Sequence, residues 1–450
     1  MREQSLSLTY LATTFALLVG CSSSPSSDSA DGGASAAGAG ANGGAIATGG
    51  ADGGGSPGTG GAASGAGGSA QNTGGSSSGA GGDAAGLSGM GGSTTAGAPS
   101  TGGAGGTAGT AGHGGAAAGA GGSGGTTTGT PGVRIVGRSA AGTNSSTRFS
   151  WAGTSISARF TGTQVSVNLN DANNKNRFTV VVDGGTPKTI TSASGQTALS
   201  LATGLASGSH DLVFWRNTEA SIGVSEFSGL TGFSSGGALL AAPAAPDRRI
   251  EVIGDSLSVG AGVEGTSTTC NPSIDAFTNN YLAYGSVAAR TVLADVVTIA
   301  WSGIGVYRSY SASAATMPQI YDYAIPNDKT AWDFSKYQPQ VVVINLGTND
   351  FGSGNPGQPY VDAYVAFVKH VRSKYAAASF ILIDMYGGDR LAAITSVVNA
   401  LKSGGEPKVE TLSFSSVPKN NTACNSHPNT AAQKAMGGLL ATRLKTLMNW

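Results

Sequence analysis

Three short segments, far apart in the chain, carry the residue types of nucleophilic ester chemistry. Glu251-Val252-Ile253 is rich in strand formers and runs into Gly254-Asp255-Ser256, which places a serine at the C-terminal tip of a strand. A second apolar run over 341–346 ends in Gly347-Thr348-Asn349-Asp350, and His427 stands in Asn425-Ser426-His427-Pro428-Asn429. A serine hydroxyl is inert at neutral pH unless a neighbouring base takes its proton. Ser256 is therefore the candidate nucleophile and His427 the candidate base. The competing reading of Asp255 and Ser256 is a capped strand-to-helix turn, and Ser258 is a second serine just beyond that turn. The other histidines are poorly placed: His113 lies in a glycine-rich stretch, His210 in a β-patterned region and His370 inside a helical one.

Attack on an ester puts negative charge on the former carbonyl oxygen. The candidate donors to it are the backbone N–H of Ser256, the backbone N–H of Gly303 in Trp301-Ser302-Gly303-Ile304-Gly305, and the side-chain amide of Asn349. Losing one such donor typically costs about 2.7–4 kcal/mol of activation free energy. Gly305 is the alternative to Gly303. Ordinary turns would account for either glycine, and an Asx turn for Asn349. Asp350 is expected to pin its loop. The positions just before His427 hold Cys424 and Asn425 rather than a carboxylate. A Ser256–His427 dyad is thus expected, with a main-chain carbonyl or the Asn425 side-chain oxygen orienting the ring. Asp384 and Asp389 are the carboxylates that could make it a triad instead.

The elements that must position these groups can be read from the period of the pattern. Beyond residue 247, apolar strand candidates at 250–253, 296–300, 341–346, 380–385 and 409–414 alternate with helix candidates at 280–294, 360–375, 390–402 and 429–448. Alternation of this kind predicts an α/β domain over 247–450, a parallel sheet with its site beyond the strands' C-terminal ends. Residues 132–240 alternate apolar and polar positions over 147–151, 156–160, 165–169 and 210–215, with a fuller apolar run over 178–183 that ends at a turn, and no convincing helix. That pattern predicts an all-β sandwich or jelly roll. An Ala/Pro stretch at 241–246 links the two.

The N-terminal third reads differently. Residues 22–131 contain 41 glycines in 110 positions and no Lys, Arg, Phe, Trp or Tyr. Such a composition cannot bury enough apolar surface to offset ordering, so a disordered Gly/Ala/Ser/Thr-rich tether is expected. Residues 1–21 have the form of a secretory signal, with Arg2 ahead of a short apolar stretch ending Leu18-Val19-Gly20-Cys21. That junction resembles a bacterial lipobox, which implies lipid attachment at Cys21. An ordinary signal with an incidental cysteine is the alternative. In an exported domain Cys270 and Cys424 are expected to form a disulfide, or else two buried thiols. The 25 basic and 25 acidic side chains balance and form no basic block, so nothing points to nucleic acid.

The order Ser256, Gly303, Asn349, His427, in these contexts, resembles the SGNH (GDSL-type) hydrolases. The similarity extends over 133–450 to carbohydrate esterase family 2. It is carried further by Arg148-Phe149-Ser150-Trp151, Trp215-Arg216-Asn217-Thr218-Glu219-Ala220, Tyr281-Leu282-Ala283-Tyr284-Gly285 and Cys424-Asn425-Ser426-His427-Pro428-Asn429. The resemblance implies a jelly roll followed by a flavodoxin-like hydrolase domain. It also implies removal of acetyl groups from polysaccharides such as xylan or glucomannan, with neither metal nor other cofactor. Two positions depart from the family pattern: Ser426 stands where many members carry an aromatic of the sugar platform, and Asn425 where many carry aspartate. Trp301, Tyr307 and Trp332 are the candidate sugar contacts. The expected partners are an acetylated polysaccharide and a membrane reached through lipidated Cys21. The expected setting is the bacterial cell envelope, at the outer membrane or cell surface, with the protein a monomer. An SGNH scaffold also admits another esterase or lipase, or an idle glycan-binding lipoprotein.

Overall fold

The computed structural model describes residues 132–450, apart from 172, 174, 194–197 and 235. All of them fall in a single unit, Thr110–Trp450. The expected signal segment 1–21 with Cys21, and the tether 22–131, lie outside the described residues.

The alternating region folds into β1 (Val133–Val136), β2 (Ala140–Ala141), β3 (Thr147–Phe149), β4 (Ser155–Thr161), β5 (Val165–Asp171), β6 (Arg177–Val182), β7 (Lys188–Thr191), β8 (Leu199–Ala202), β9 (Ser209–Arg216) and β10 (Ser225–Thr231). They form two antiparallel five-stranded sheets, ordered β1-β4-β9-β6-β7 and β2-β3-β10-β5-β8. Alternate side chains, among them Phe149, Ile156, Phe160, Phe178, Phe214 and Phe227, fill the space between the sheets.

The second domain contains β11 (Arg249–Gly254), α1 (Ser256–Val259), α2 (Tyr284–Thr291), β12 (Asp295–Ala300), α3 (Met317–Ile320), β13 (Tyr323–Ile325), β14 (Thr330–Ala331), β15 (Val341–Asn345), α4 (Gln358–Lys374), β16 (Ser379–Asp384), α5 (Gly388–Ser403), β17 (Val409–Ser413) and α6 (Thr430–Met448). Its main sheet is parallel throughout, in the order β12-β11-β15-β16-β17. Counted within the domain this is the flavodoxin-like order 2-1-3-4-5, whose switch point opens a crevice at the C-terminal end of the first strand. That strand, β11, delivers Ser256.

The helix expected over 280–294 is shorter than its apolar pattern suggests. Asn279 caps a 3-10 turn at Asn280–Leu282, Ala283 is extended, and Leu293 adopts a left-handed conformation with φ 54°. The small antiparallel pair β13–β14 has no counterpart in the sequence expectations.

The sandwich is packed against the α/β domain rather than strung from it. Val136, Trp151 and Ala220 share one core cluster with Ile253, Ile304 and Trp332. Trp151 meets Trp301 edge to face at 6.4 Å. A buried charge crosses the same boundary. Glu251, in the middle of the nucleophile strand, accepts from Tyr321 Oη at 2.6 Å and Tyr375 Oη at 2.9 Å, and pairs with Arg138 Nη2 of the sandwich at 3.3 Å. Both charged side chains are fully buried. Removing one partner of such a pair strands the other charge. Arg138→Ala should therefore lose about 3–5 kcal/mol of unfolding free energy. Urea titration checks this, and a loss below about 1 kcal/mol would show that the two tyrosines satisfy Glu251 by themselves.

Candidate active site

Ser256 opens α1 directly after β11. Asp255 is the N-cap, and its Oδ1 accepts from Leu257 N–H at 3.0 Å. Burial pushes the Asp255 carboxyl up to about 7, against the lowering effect of that bond. The turn closes tightly on the neighbouring strand: a Cβ at Gly254 would collide with Ser258 Oγ and stand 3.0 Å from the Asn345 carbonyl. As the first residue of the helix, Ser256 has a backbone N–H with no intrahelical acceptor. Ser258, the alternative serine, is buried and its hydroxyl bonds Tyr284 Oη at 2.7 Å.

His427 is brought to Ser256 across 171 positions, and His427 Nε2 lies 2.9 Å from Ser256 Oγ. Several ties hold the histidine loop to the segment after the nucleophile. Cys424 and Cys270 form a disulfide with their Cα atoms 5.2 Å apart. Asn425 N–H donates to Thr268 O at 2.9 Å, and Gln433 Nε2 on α6 donates to Leu257 O at 3.1 Å. Asn429 caps α6 by accepting from Ala432 N–H at 3.1 Å.

The other face of the imidazole decides its tautomer. His427 Nδ1 is 3.0 Å from the carbonyl oxygen of Cys424. A carbonyl only accepts, so Nδ1 carries the proton and Nε2 is left bare to accept the Ser256 O–H. Neither carboxylate considered from the sequence is hydrogen-bonded to the imidazole. Asp384 accepts from Tyr386 N–H at 3.2 Å, Gly387 N–H at 3.0 Å and Ser413 Oγ at 2.5 Å, while Asp389 is exposed in the first turn of α5. Burial pushes the His427 imidazole below the ordinary histidine value of 6.5, against a smaller raising effect of the Cys424 carbonyl. The base form therefore persists to lower pH. The acid limb of the kcat/KM–pH profile should have its midpoint below about 6.5, and a midpoint above that value would contradict the assignment.

Gly303 and Asn349 reach the same crevice, a cleft of about 600 Å³ that Ser256, Tyr310, Tyr386 and His427 also line. Gly303 has φ +80°, where a side chain would be strained, and its carbonyl accepts from Tyr310 N–H at 2.8 Å. Gly305 is engaged instead with Ser309 Oγ, 3.2 Å from its N–H. Asn349 Nδ2 donates to Ile304 O at 2.8 Å and makes only a long 3.4 Å contact with Asp255 Oδ2. An amide has two N–H groups, and a ligand would take the second by displacing the long contact with Asp255. Asp350 does pin its loop. Its carboxylate accepts from Val306 N–H at 3.1 Å, Tyr307 N–H at 2.7 Å and Arg308 N–H at 3.0 Å.

The three expected sugar contacts do not stand in this crevice. Trp332 is a core residue beside the Arg138 guanidinium, buried where the two domains meet. Tyr307 is exposed and is not among the residues that line the cleft. Trp301 lines an adjoining apolar pocket with Ile304, Ala315 and Ile320. The aromatics at the cleft are Tyr310 and Tyr386, 79% and 39% exposed. Their signal was local: Tyr310 is a lone aromatic in the polar run Ser309-Tyr310-Ser311, and Tyr386 follows a strand tip just before Gly387-Gly388.

Comparison with known proteins bears on this geometry. A family model described as Carbohydrate esterase 2 N-terminal matches residues 135–243, and one described as GDSL-like Lipase/Acylhydrolase family matches 252–413. An acetylxylan esterase / glucomannan deacetylase of Cellvibrio japonicus is 30% identical over 69% of this chain and 89% of that protein. The chain belongs to carbohydrate esterase family 2. This family 2 protein is a carboxylic ester hydrolase by that membership. Cellulase/esterase CelE of Acetivibrio thermocellus is 36% identical over 67% of the chain, which spans 38% of CelE's length. A solved family two carbohydrate esterase from Clostridium thermocellum, in complex with cellohexaose, is 34% identical with a TM-score of 0.67. The match covers 71% of this chain and all of that one.

Proposed function

We propose that this family 2 esterase removes acetyl groups from an acetylated polysaccharide of the xylan or glucomannan type through a Ser256–His427 dyad. The observation that carries the reading is the 2.9 Å contact of Ser256 Oγ with an imidazole whose other nitrogen is committed to a main-chain carbonyl. Ser256 Oγ attacks the acetyl carbonyl carbon while His427 Nε2 takes its proton. The oxyanion is received by Ser256 N–H, Gly303 N–H and the Asn349 amide. Collapse expels the sugar oxygen, which takes the proton back from His427, and leaves an acetyl-enzyme. Water then attacks with His427 as base, and acetate departs. The two exposed tyrosines offer apolar faces on which a sugar ring can rest.

Acetate release from acetylated glucomannan, compared with hydrolysis of 4-nitrophenyl esters of increasing chain length, tests the substrate. The expected result is a preference for acetyl, with Tyr310→Ala raising KM on polysaccharide several-fold and leaving 4-nitrophenyl acetate hydrolysis nearly unchanged. A second reading, an esterase for larger acyl groups, is favoured by the apolar pocket beside Gly303. Higher kcat/KM on octanoyl than on acetyl esters would select it.

For its place in the cell we propose anchoring to the bacterial envelope through lipid on Cys21. Incorporation of labelled palmitate by the full chain, abolished in Cys21→Ser, tests this.

A further inference from the structure

We propose that Glu219, contributed by the β-sandwich, is a positioning residue for the Gly303 N–H: it holds the Ser302 N–H and so fixes the oxyanion loop beside Ser256. The inference rests on the Ser256 reading above and adds a catalytic duty for the N-terminal domain.

Ser302 N–H donates to Glu219 Oε2 at 2.6 Å. A bond of that length to a carboxyl oxygen is among the stronger ones available to a backbone amide. On the far side of Gly303, its own carbonyl is held by Tyr310 N–H at 2.8 Å. The Gly303 N–H thus lies between two anchored groups, one of them supplied by the other domain. Glu219 is itself firmly seated. The fully buried Arg216 donates to Thr218 O at 3.0 Å, Glu219 O at 3.2 Å and Gly223 O at 2.6 Å. Asn327 Nδ2 donates to Ala220 O at 2.8 Å.

The carboxylate is only 7% exposed, a costly place for a charge unless it accepts hydrogen bonds. The same end of β9 also reaches the nucleophile. Trp215 Nε1 donates to Asn280 Oδ1 at 3.2 Å, and Asn280 Nδ2 donates to Ser258 O at 3.1 Å and Val259 O at 3.2 Å. One sandwich segment therefore braces both the serine helix and the loop that faces it.

The test measures kcat and KM of the full chain on acetylated glucomannan and 4-nitrophenyl acetate for wild type, Glu219→Asp, Glu219→Gln and Glu219→Ala, with Ser256→Ala alongside. Aspartate keeps the charge but is one methylene too short, whereas glutamine keeps an acceptor at full reach. An ångström of misplacement near reacting atoms costs on the order of 100-fold. Glu219→Asp and Glu219→Ala are expected to lower kcat by about 10- to 100-fold with KM nearly constant, and Glu219→Gln to stay within about threefold of wild type. If the alanine variant does not fold, the aspartate–glutamine pair decides. Wild-type kcat in Glu219→Asp, a glutamine variant as slow as the aspartate one, or a loss matched by an equal rise in KM would overturn the proposal. Full activity in Ser256→Ala would instead overturn the underlying active-site reading.

Discussion

Ser256→Ala leaves the fold intact and lowers acetate release by on the order of 10⁴- to 10⁶-fold, the range seen when the nucleophile of a serine hydrolase is removed. The size follows from the geometry. The hydroxyl is hydrogen-bonded to an imidazole and opens α1, where its own backbone N–H has no intrahelical acceptor. Removal of Oγ takes away the covalent route altogether, leaving only binding and the oxyanion donors. Circular dichroism and thermal unfolding of the variant should match wild type, because the Asp255 cap and the Gly254 turn do not depend on the hydroxyl. Loss of less than tenfold would place the nucleophile elsewhere.

His427→Gln should fall nearly as far, and the double variant Ser256→Ala/His427→Gln should be scarcely worse than either single one. Residues that act as one unit lose their function together. Asp384→Asn and Asp389→Ala are the informative controls. Asp384 holds the loop after β16 through Gly387 and Ser413, and Asp389 is exposed. Neither is hydrogen-bonded to the imidazole, so Asp389→Ala should be near wild type and Asp384→Asn should lose stability rather than the chemical step. A several-hundred-fold fall in kcat at either position, with folding unaffected, would establish a carboxylate as third partner and end the dyad. Because Nδ1 faces a neutral carbonyl, an imidazolium formed in the proposed attack would be stabilised by a dipole and not by a full charge. The disulfide from Cys270 to Cys424 holds the backbone that presents this carbonyl.

The candidate site was legible in the sequence where a polar residue interrupts a strong local period. Ser256 and Asn349 each end an apolar strand run, and His427 sits between a break and a long amphipathic helix. For the same reason the five strands of the parallel sheet could be placed to within a residue or two. What escaped depends on pairs distant in the chain. Glu251 reads as a stray charge in a β-branched run, and only its burial against Arg138, 113 positions earlier, explains it. Trp332 resembles a sugar platform because it is an aromatic outside any regular element, yet its ring closes the core shared by the two domains. Glu219 belongs to a segment whose resemblance to the family was visible, but its contact with Ser302 spans 83 positions. Local pattern says which residues leave the core. It cannot say which remote backbone they will meet.

The central claim is tested most directly by covalent capture. The full chain is treated with an alkyl fluorophosphonate, its intact mass is measured, and the modified peptide is mapped. The account predicts one adduct per chain, on Ser256, formed slowly or not at all in His427→Gln. An adduct on another residue, or equal labelling of Ser256→Ala, would contradict it.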